Sequence, residues 1–137
     1  MNLNQVTVPS TDVEVSAEFY RRLGLRQIVA TSADYARFEC PDGESTFSIH
    51  RVERVGPGPG VVVYFECDEL DSTVAQLKAR GVRFDSDPED KRWLWREAYL
   101  SDPDGTSICL FQAGKNRRNP PWRISSDSNT RGPASGQ

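Results

Sequence analysis

One histidine, three cysteines and one methionine are the whole supply of soft metal-binding side chains in the 137 residues. Cys40, Cys67 and Cys109 are odd in number and no two are spaced as a metal-binding pair. Free thiols in a reducing compartment are therefore expected, not a disulfide framework. A basic excess is missing too. Seventeen Lys and Arg against 20 Asp and Glu leave a formal charge of -3, which argues against a general nucleic-acid binder. No apolar run approaches the ~20 residues of a membrane span. The start "MNLNQVTV" lacks the basic and apolar regions of a signal peptide, so a cytoplasmic location is expected. What is present, 36% apolar and 27% charged residues, suits one globular domain or two small halves that share a core.

The chain is written twice. "LNQVTVP" alternates as a strand that Pro9 should end. "STDVEVSAEFYRRLG" reads as a helix with a Thr11/Glu14 capping box, an inner face of Val15, Phe19, Tyr20 and Leu23, and Gly24 as its stop. "LRQIVATS", "YARFEC" and "STFSIHRVE" follow as strands, the last two separated by a "PDG" turn. After "RVGPGPG", which cannot enter regular structure, the order recurs. It runs through a strand "VVVYFEC", a helix "DELDSTVAQLKARG" with Leu70, Val74 and Leu77 inward and Gly81 as stop, then "VRFDS", "WLWREAYL" and "TSICLFQ". Asp12 to Asp68 is an offset of 56, Gly24 to Gly81 of 57 and Pro41 to Pro103 of 62, as in a tandem repeat. The expected organisation is a first module over 1–54, a linker over 55–60, a second module over 61–114 and a tail over 115–137. In the tail, "NPPWR" is expected to be extended, presenting Trp122, and the polar stretch from Ser125 to be disordered.

This double strand, helix, three-strand order, with "FYRRLGL" in the first half and "DPDG" before the last strand, resembles the vicinal oxygen chelate superfamily over about Leu3 to Gly114. That superfamily includes glyoxalase I, bleomycin-resistance proteins and ring-cleaving dioxygenases. The resemblance implies an α+β fold in which tandem βαβββ modules form curved mixed sheets around a cavity. It also implies a homodimer, with the two walls of a cavity supplied by one chain or by two.

The metal enzymes of that superfamily place four ligands on the first and last strands of the two modules. The resemblance carries these positions onto Gln5, Ser48, Val62 and Cys109. Val62 has no donor atom and Ser48 is a poor neutral ligand, so the usual metal site is expected to be absent and no cofactor is expected. A divalent ion held by a relocated Gln5, His50, Glu66 and Glu97 set is the minority alternative.

Alternation along the strands extends the cavity wall from those positions. Thr7 follows Gln5, Thr46 and His50 flank Ser48, Tyr64 and Glu66 follow Val62, and Ser107 and Phe111 flank Cys109. Trp95, Glu97 and Tyr99 are expected inward on their strand, with Arg96 and Ala98 outward. His50, Glu66 and Glu97 are the candidate catalytic groups, as proton donors or acceptors. Gln5, Thr7, Ser48, Val62, Tyr64, Trp95, Tyr99, Cys109 and Phe111 are the candidate substrate contacts. Each has a structural alternative: a lone strand histidine is often a satisfied core residue, strand glutamates are often solvated, and paired tryptophans often serve sheet packing. The sequence favours a lyase- or isomerase-like enzyme acting on a small organic molecule without the usual metal. The alternative is a resistance-type protein that sequesters an aromatic or cationic compound. A partner-gripping role for "NPPWR" is a further reading.

Overall fold

The computed structural model of the chain describes residues 2–57 and 60–124. The first module contains β1 (Gln5–Ser10), α1 (Val13–Leu23), β2 (Arg26–Thr31), β3 (Tyr35–Glu39) and β4 (Thr46–Arg51). The second contains β5 (Val62–Glu66), α2 (Leu70–Ala79), β6 (Glu89–Asp90), β7 (Arg96–Ser101) and β8 (Ser107–Gln112), followed by a 3-10 turn at Gly114–Arg117. The sheets are mixed and four-stranded, in the order β1-β4-β3-β2 and β5-β8-β7-β6, and neither closes into a barrel. β1 runs parallel to β4 and β5 parallel to β8, so the helix of each module is the crossover that a parallel pair requires.

Period-two alternation divides each sheet into two faces. Phe47, Ile49, Ala36, Phe38 and Val8 of the first sheet turn to α1, and Val63, Ile108, Leu110, Ala98 and Leu100 of the second turn to α2. All ten belong to one hydrophobic cluster, in which Phe47 meets the partly buried Phe65 with ring centroids 6.0 Å apart. The opposite faces of the sheets, called concave below, carry the residues Gln5, Thr7, Ser48 and His50 in the first module and Tyr64, Glu97, Cys109 and Phe111 in the second.

The repeated turn of the second module clasps the first. Asp102 is buried, and its Oδ2 accepts from the fully buried Tyr20 hydroxyl at 2.7 Å. Its Oδ1 accepts the backbone N–H groups of Asp104 and Thr106. Asp104 in turn accepts from the Thr11 backbone N–H and hydroxyl at the start of α1, and from Ser16. Burial holds Asp102 above the usual carboxylate range, against the donors of Tyr20, Thr106 and Asp104. At Asp104 burial acts in the same direction, but the Thr11, Ser10 and Ser16 hydrogen bonds outweigh it and hold that carboxyl low.

Several local expectations are corrected. Pro9 lies within β1, not at its end, which an edge strand tolerates because its missing N–H need not serve the ladder. The α1 cap is Asp12, whose carboxyl accepts from Val15 N, while Thr11 is engaged by Asp104. The buried stripe is then Val13, Ser16, Ala17 and Tyr20, and Val15 is 50% exposed. Gly24 and Gly81 end their helices with φ of 108° and 88°, a backbone region that a side chain disfavours. No strand forms over residues 82–86; that segment lies beside β7 through Asp85 and Ser86 N–H bonds to the Tyr99 carbonyl, and the only ladder strand there is β6. β7 begins at Arg96, because Leu94 at φ 69° breaks the extended run. Pro120 accepts the Arg123 N–H at 3.0 Å, so "NPPWR" turns where an extended segment was expected, with Trp122 half-buried. The expected disorder from Ser125 lies outside the described residues. No helix among the described residues is long and apolar enough to cross a membrane.

Candidate functional site

The concave face of the second module is aromatic. Trp95 stacks on Phe111 with centroids 4.4 Å apart and planes 15° from parallel. Tyr64 on β5 stands edge-on to both rings, 6.0 Å from Trp95 and 5.8 Å from Phe111, and remains 41% exposed. Phe111 can present this arrangement because β8 lies between β5 and β7 and its alternate residues, Ile108 and Leu110, fill the core. The Trp95 indole is tied down by its N–H, which donates to the Asn116 carbonyl at 3.3 Å.

Behind the aromatic surface lies Glu97, 1% exposed. Its carboxyl accepts the Trp93 indole N–H at 2.7 Å and the Tyr99 hydroxyl at 3.0 Å. Trp93 and Trp95 therefore serve different partners and do not share one strand face, since the left-handed Leu94 stands between them. Burial pushes the Tyr99 phenol up, helped by Tyr64 and Glu97. Cys109, directly opposite Tyr99, is fully buried, and burial together with the Glu97 charge pushes its thiol up to about 12. Packing and the raised pKa both disfavour its thiolate at neutral pH. Beside Trp95 opens a cleft of about 630 Å³ whose rim carries Glu66, Asp68 and Asp90 together with Lys91 and Arg96, the last paired with Asp90 at 3.0 Å.

The first module's concave face is polar. Ser48 is fully buried; its oxygen accepts Gln5 Nε2 at 2.8 Å and shares a hydrogen bond with the Tyr35 hydroxyl at 2.7 Å. Gln5 is also bonded to Thr46 and Thr7. Arg37 Nε donates to the Tyr35 oxygen at 2.9 Å. The Ser48 hydrogen bond, with help from Arg37, holds the Tyr35 phenol below its ordinary value. His50 is exposed at the end of β4, opposite Pro9 on one side and Tyr35 on the other.

Of the three candidate catalytic groups, no hydrogen bond or ion pair joins any two among the described residues. Glu97 is held by Trp93 and Tyr99, Glu66 lies 3.4 Å from Arg117 Nε, and His50 stands on the other module. The substrate contacts fall into two groups: Gln5, Thr7 and Ser48 on the first sheet; Val62, Tyr64, Trp95, Tyr99, Cys109 and Phe111 on or beside the second. Tyr35 and Arg37 are absent from the expectations, although the alternation of "YARFEC" points them to the same face as Ser48. Lys91 lies in irregular backbone and Asn116 in the 3-10 turn after β8, where no strand alternation points to them.

The donor sets do not fit a resident divalent ion within one chain. The Val62 side chain offers no donor atom and Ser48 is a neutral hydroxyl committed to Gln5 and Tyr35, which leaves only Gln5 and Cys109, on different sheets, too few for a site. The relocated set is also not assembled: among the described residues no three His, Cys, Asp or Glu side chains converge.

The sequence pattern described as Glyoxalase/Bleomycin resistance protein/Dioxygenase superfamily matches residues 2–110. A crystal structure of a glyoxalase/bleomycin resistance protein/dioxygenase from Nocardioides is similar at 24% identity, TM-score 0.73, covering 91% of this chain and 90% of that one. Lactoylglutathione lyase from Agrobacterium tumefaciens is similar at 18% identity, TM-score 0.69, with 83% and 94% covered. A bleomycin-binding protein complexed with bleomycin is similar at 26% identity, TM-score 0.65, with 82% and 98% covered. Among curated proteins none matches the sequence significantly.

Proposed function

Because the chain belongs to the glyoxalase/bleomycin resistance protein/dioxygenase superfamily, we propose that it binds a small, flat, aromatic and cationic organic molecule on the concave face of its second module. The observation that carries this reading is the stack of Trp95 on Phe111, with Tyr64 edge-on, beside a cleft of about 630 Å³. A flat ring gains apolar contact and quadrupole attraction from such a surface. A positive charge on it gains further from the indole face and from Asp68, the rim carboxylate without an ion-pair partner among the described residues, since Arg96 holds Asp90 and Arg117 holds Glu66. The bleomycin-binding relative supports small-molecule binding on this fold. Glu97 acts here as a positioning group, because its hydrogen bonds fix Trp93 and Tyr99 around the aromatic wall.

The second reading is turnover by proton transfer, a lyase- or isomerase-like step in which His50 and a glutamate exchange protons with the ligand. One observation favours it: His50 stands on a concave face, exposed and without a hydrogen-bond partner among the described residues. In either reading a second copy of the chain would complete the cavity, since Gln5, Thr7, Tyr64 and Glu66 are open to solvent in one chain.

A fluorescence titration with a panel of flat aromatic amines tests the binding reading. Saturable quenching is expected, and Trp95→Ala should weaken it by about 30-fold, which corresponds to ~2 kcal/mol of stacking and cation–π attraction. Unchanged affinity in that variant would remove the proposal. Recovering the bound compound separates the two readings: an unaltered mass means binding, and an altered one that depends on His50 means turnover.

A further inference from the structure

The first module holds hydrogen-bond donors that have no partner among the described residues. Gln5 Nε2 donates to Ser48, and its identity as nitrogen is fixed because it also reaches the Val6 carbonyl at 3.2 Å, which can only accept. The hydroxyl hydrogen of buried Ser48 then has one described acceptor within reach, the Tyr35 phenol oxygen at 2.7 Å. That oxygen receives a second hydrogen bond from Arg37 Nε at 2.9 Å. With both donors on it, the phenol's own hydrogen has no described partner and turns to the open face.

Arg37 has spare donors as well. Its guanidinium lies 5.5 Å from the centre of the Tyr35 ring and spends Nε on the phenol, while Nη1 and Nη2 have no hydrogen-bond or ion-pair partner among the described residues. The neighbouring charges do not cancel it. Glu39, on the same face of β3, is engaged by Arg26 at 2.6 Å, and Asp34 lies beside Ser32. His50, opposite Tyr35 on β4, adds a polar ring, Thr31 faces Tyr35 from β2, and β1 contributes Thr7 and Pro9.

We propose that Tyr35 and Arg37 form an anion-binding cradle that takes a carboxylate or phosphate group of a small molecule. Nη1 and Nη2 supply a fork for two ligand oxygens, and the Tyr35 hydroxyl donates to one of them. Ser48 and Gln5 act as positioning residues, aiming the phenol hydrogen outward. This site stands apart from the aromatic cleft, so either can fail without the other.

The test is a two-dimensional NMR titration of the full chain with benzoate and, separately, with inorganic phosphate. Saturable shifts are expected at residues 35–37 and 48–50 with at least one anion, and the anion that gives them identifies the group. Arg37→Gln should weaken binding at least tenfold, and Tyr35→Phe several-fold, as expected for lost hydrogen bonds to a charged group. Arg37→Lys, which keeps the charge but loses the fork, should fall between. Arg51→Gln removes an equal charge next to His50 in sequence but on the other strand face, and should leave binding unchanged. Absence of shifts with both anions, or equal weakening by Arg51→Gln and Arg37→Gln, overturns the proposal. Arg37 is exposed, so its variants should fold, and melting curves check this.

Discussion

Replacing Tyr20 by Phe isolates one hydrogen bond of the clasp between the modules. The ring stays, and with it the packing on Phe47 at 4.5 Å, Phe19 at 5.1 Å and Phe38 at 6.1 Å. The loss is the hydroxyl that donates to Asp102 Oδ2 at 2.7 Å. Both residues are buried, so no water readily replaces the donor, and a hydrogen bond to a charged group is worth ~1.5–3 kcal/mol. The expected destabilisation is about 2 kcal/mol, or a fall in Tm of roughly 8 °C for a chain of this size. The pH dependence gives a second check. Asp102 lies above its unfolded value, so the stability linked to its protonation is present below the unfolded carboxylate range and lost as the pH rises through its folded pKa. Tyr20 is one of the donors that limit this rise, so the cost of Tyr20→Phe should shrink on acidification, while Asp102→Asn should gain on the wild type as pH rises. Urea unfolding at about pH 4 and about pH 7 measures both. A cost under ~0.5 kcal/mol, or one that grows on acidification, would refute the clasp as a net stabilising hydrogen bond.

Asp104, held low by Thr11 and the two serines, contributes in the opposite sense: its stability is present above the unfolded carboxylate range and lost as pH falls through the folded pKa. Asp104→Asn should therefore cost about 1 kcal/mol at neutral pH and less in acid, as measured by the same unfolding curves. Cys109, with its thiol near 12, should resist iodoacetamide at neutral pH and become labelled only at the rate of global unfolding; mass spectrometry of the labelled peptide reads this. Sedimentation of the full chain should give a homodimer, and a monomer at all concentrations would remove the second wall from the account.

Much of the architecture was legible because each module repeats the same signals. Alternating strands, a helix stopped by Gly24 or Gly81 and a PDG turn recur in one order, and the matched spacing excludes most other topologies. Details failed where one residue changed the frame. On α1 the buried stripe runs through the small Ser16 and Ala17, which an apolar period passes over, and Val15 is left outside. "VRFDS" has a strand's alternation, yet its backbone makes too few partners beside β7 to form a ladder. At Leu94 the left-handed backbone separates two tryptophans that the sequence sets two apart on one face. The aromatic wall was readable from β5 and β8, whose alternation is unbroken. The clasp was not, because Tyr20 and Asp102 are brought together only by the packing of one module on the other.

The central claim, that the second module's concave face holds a flat ligand, is tested most directly by a crystal structure of the chain with the tightest aromatic amine from the titration. The account predicts the ligand ring against Trp95 at stacking distance, ~4 Å, with its charge toward Asp68. A ligand bound elsewhere, with the Trp95 and Tyr64 surface bare, would contradict it.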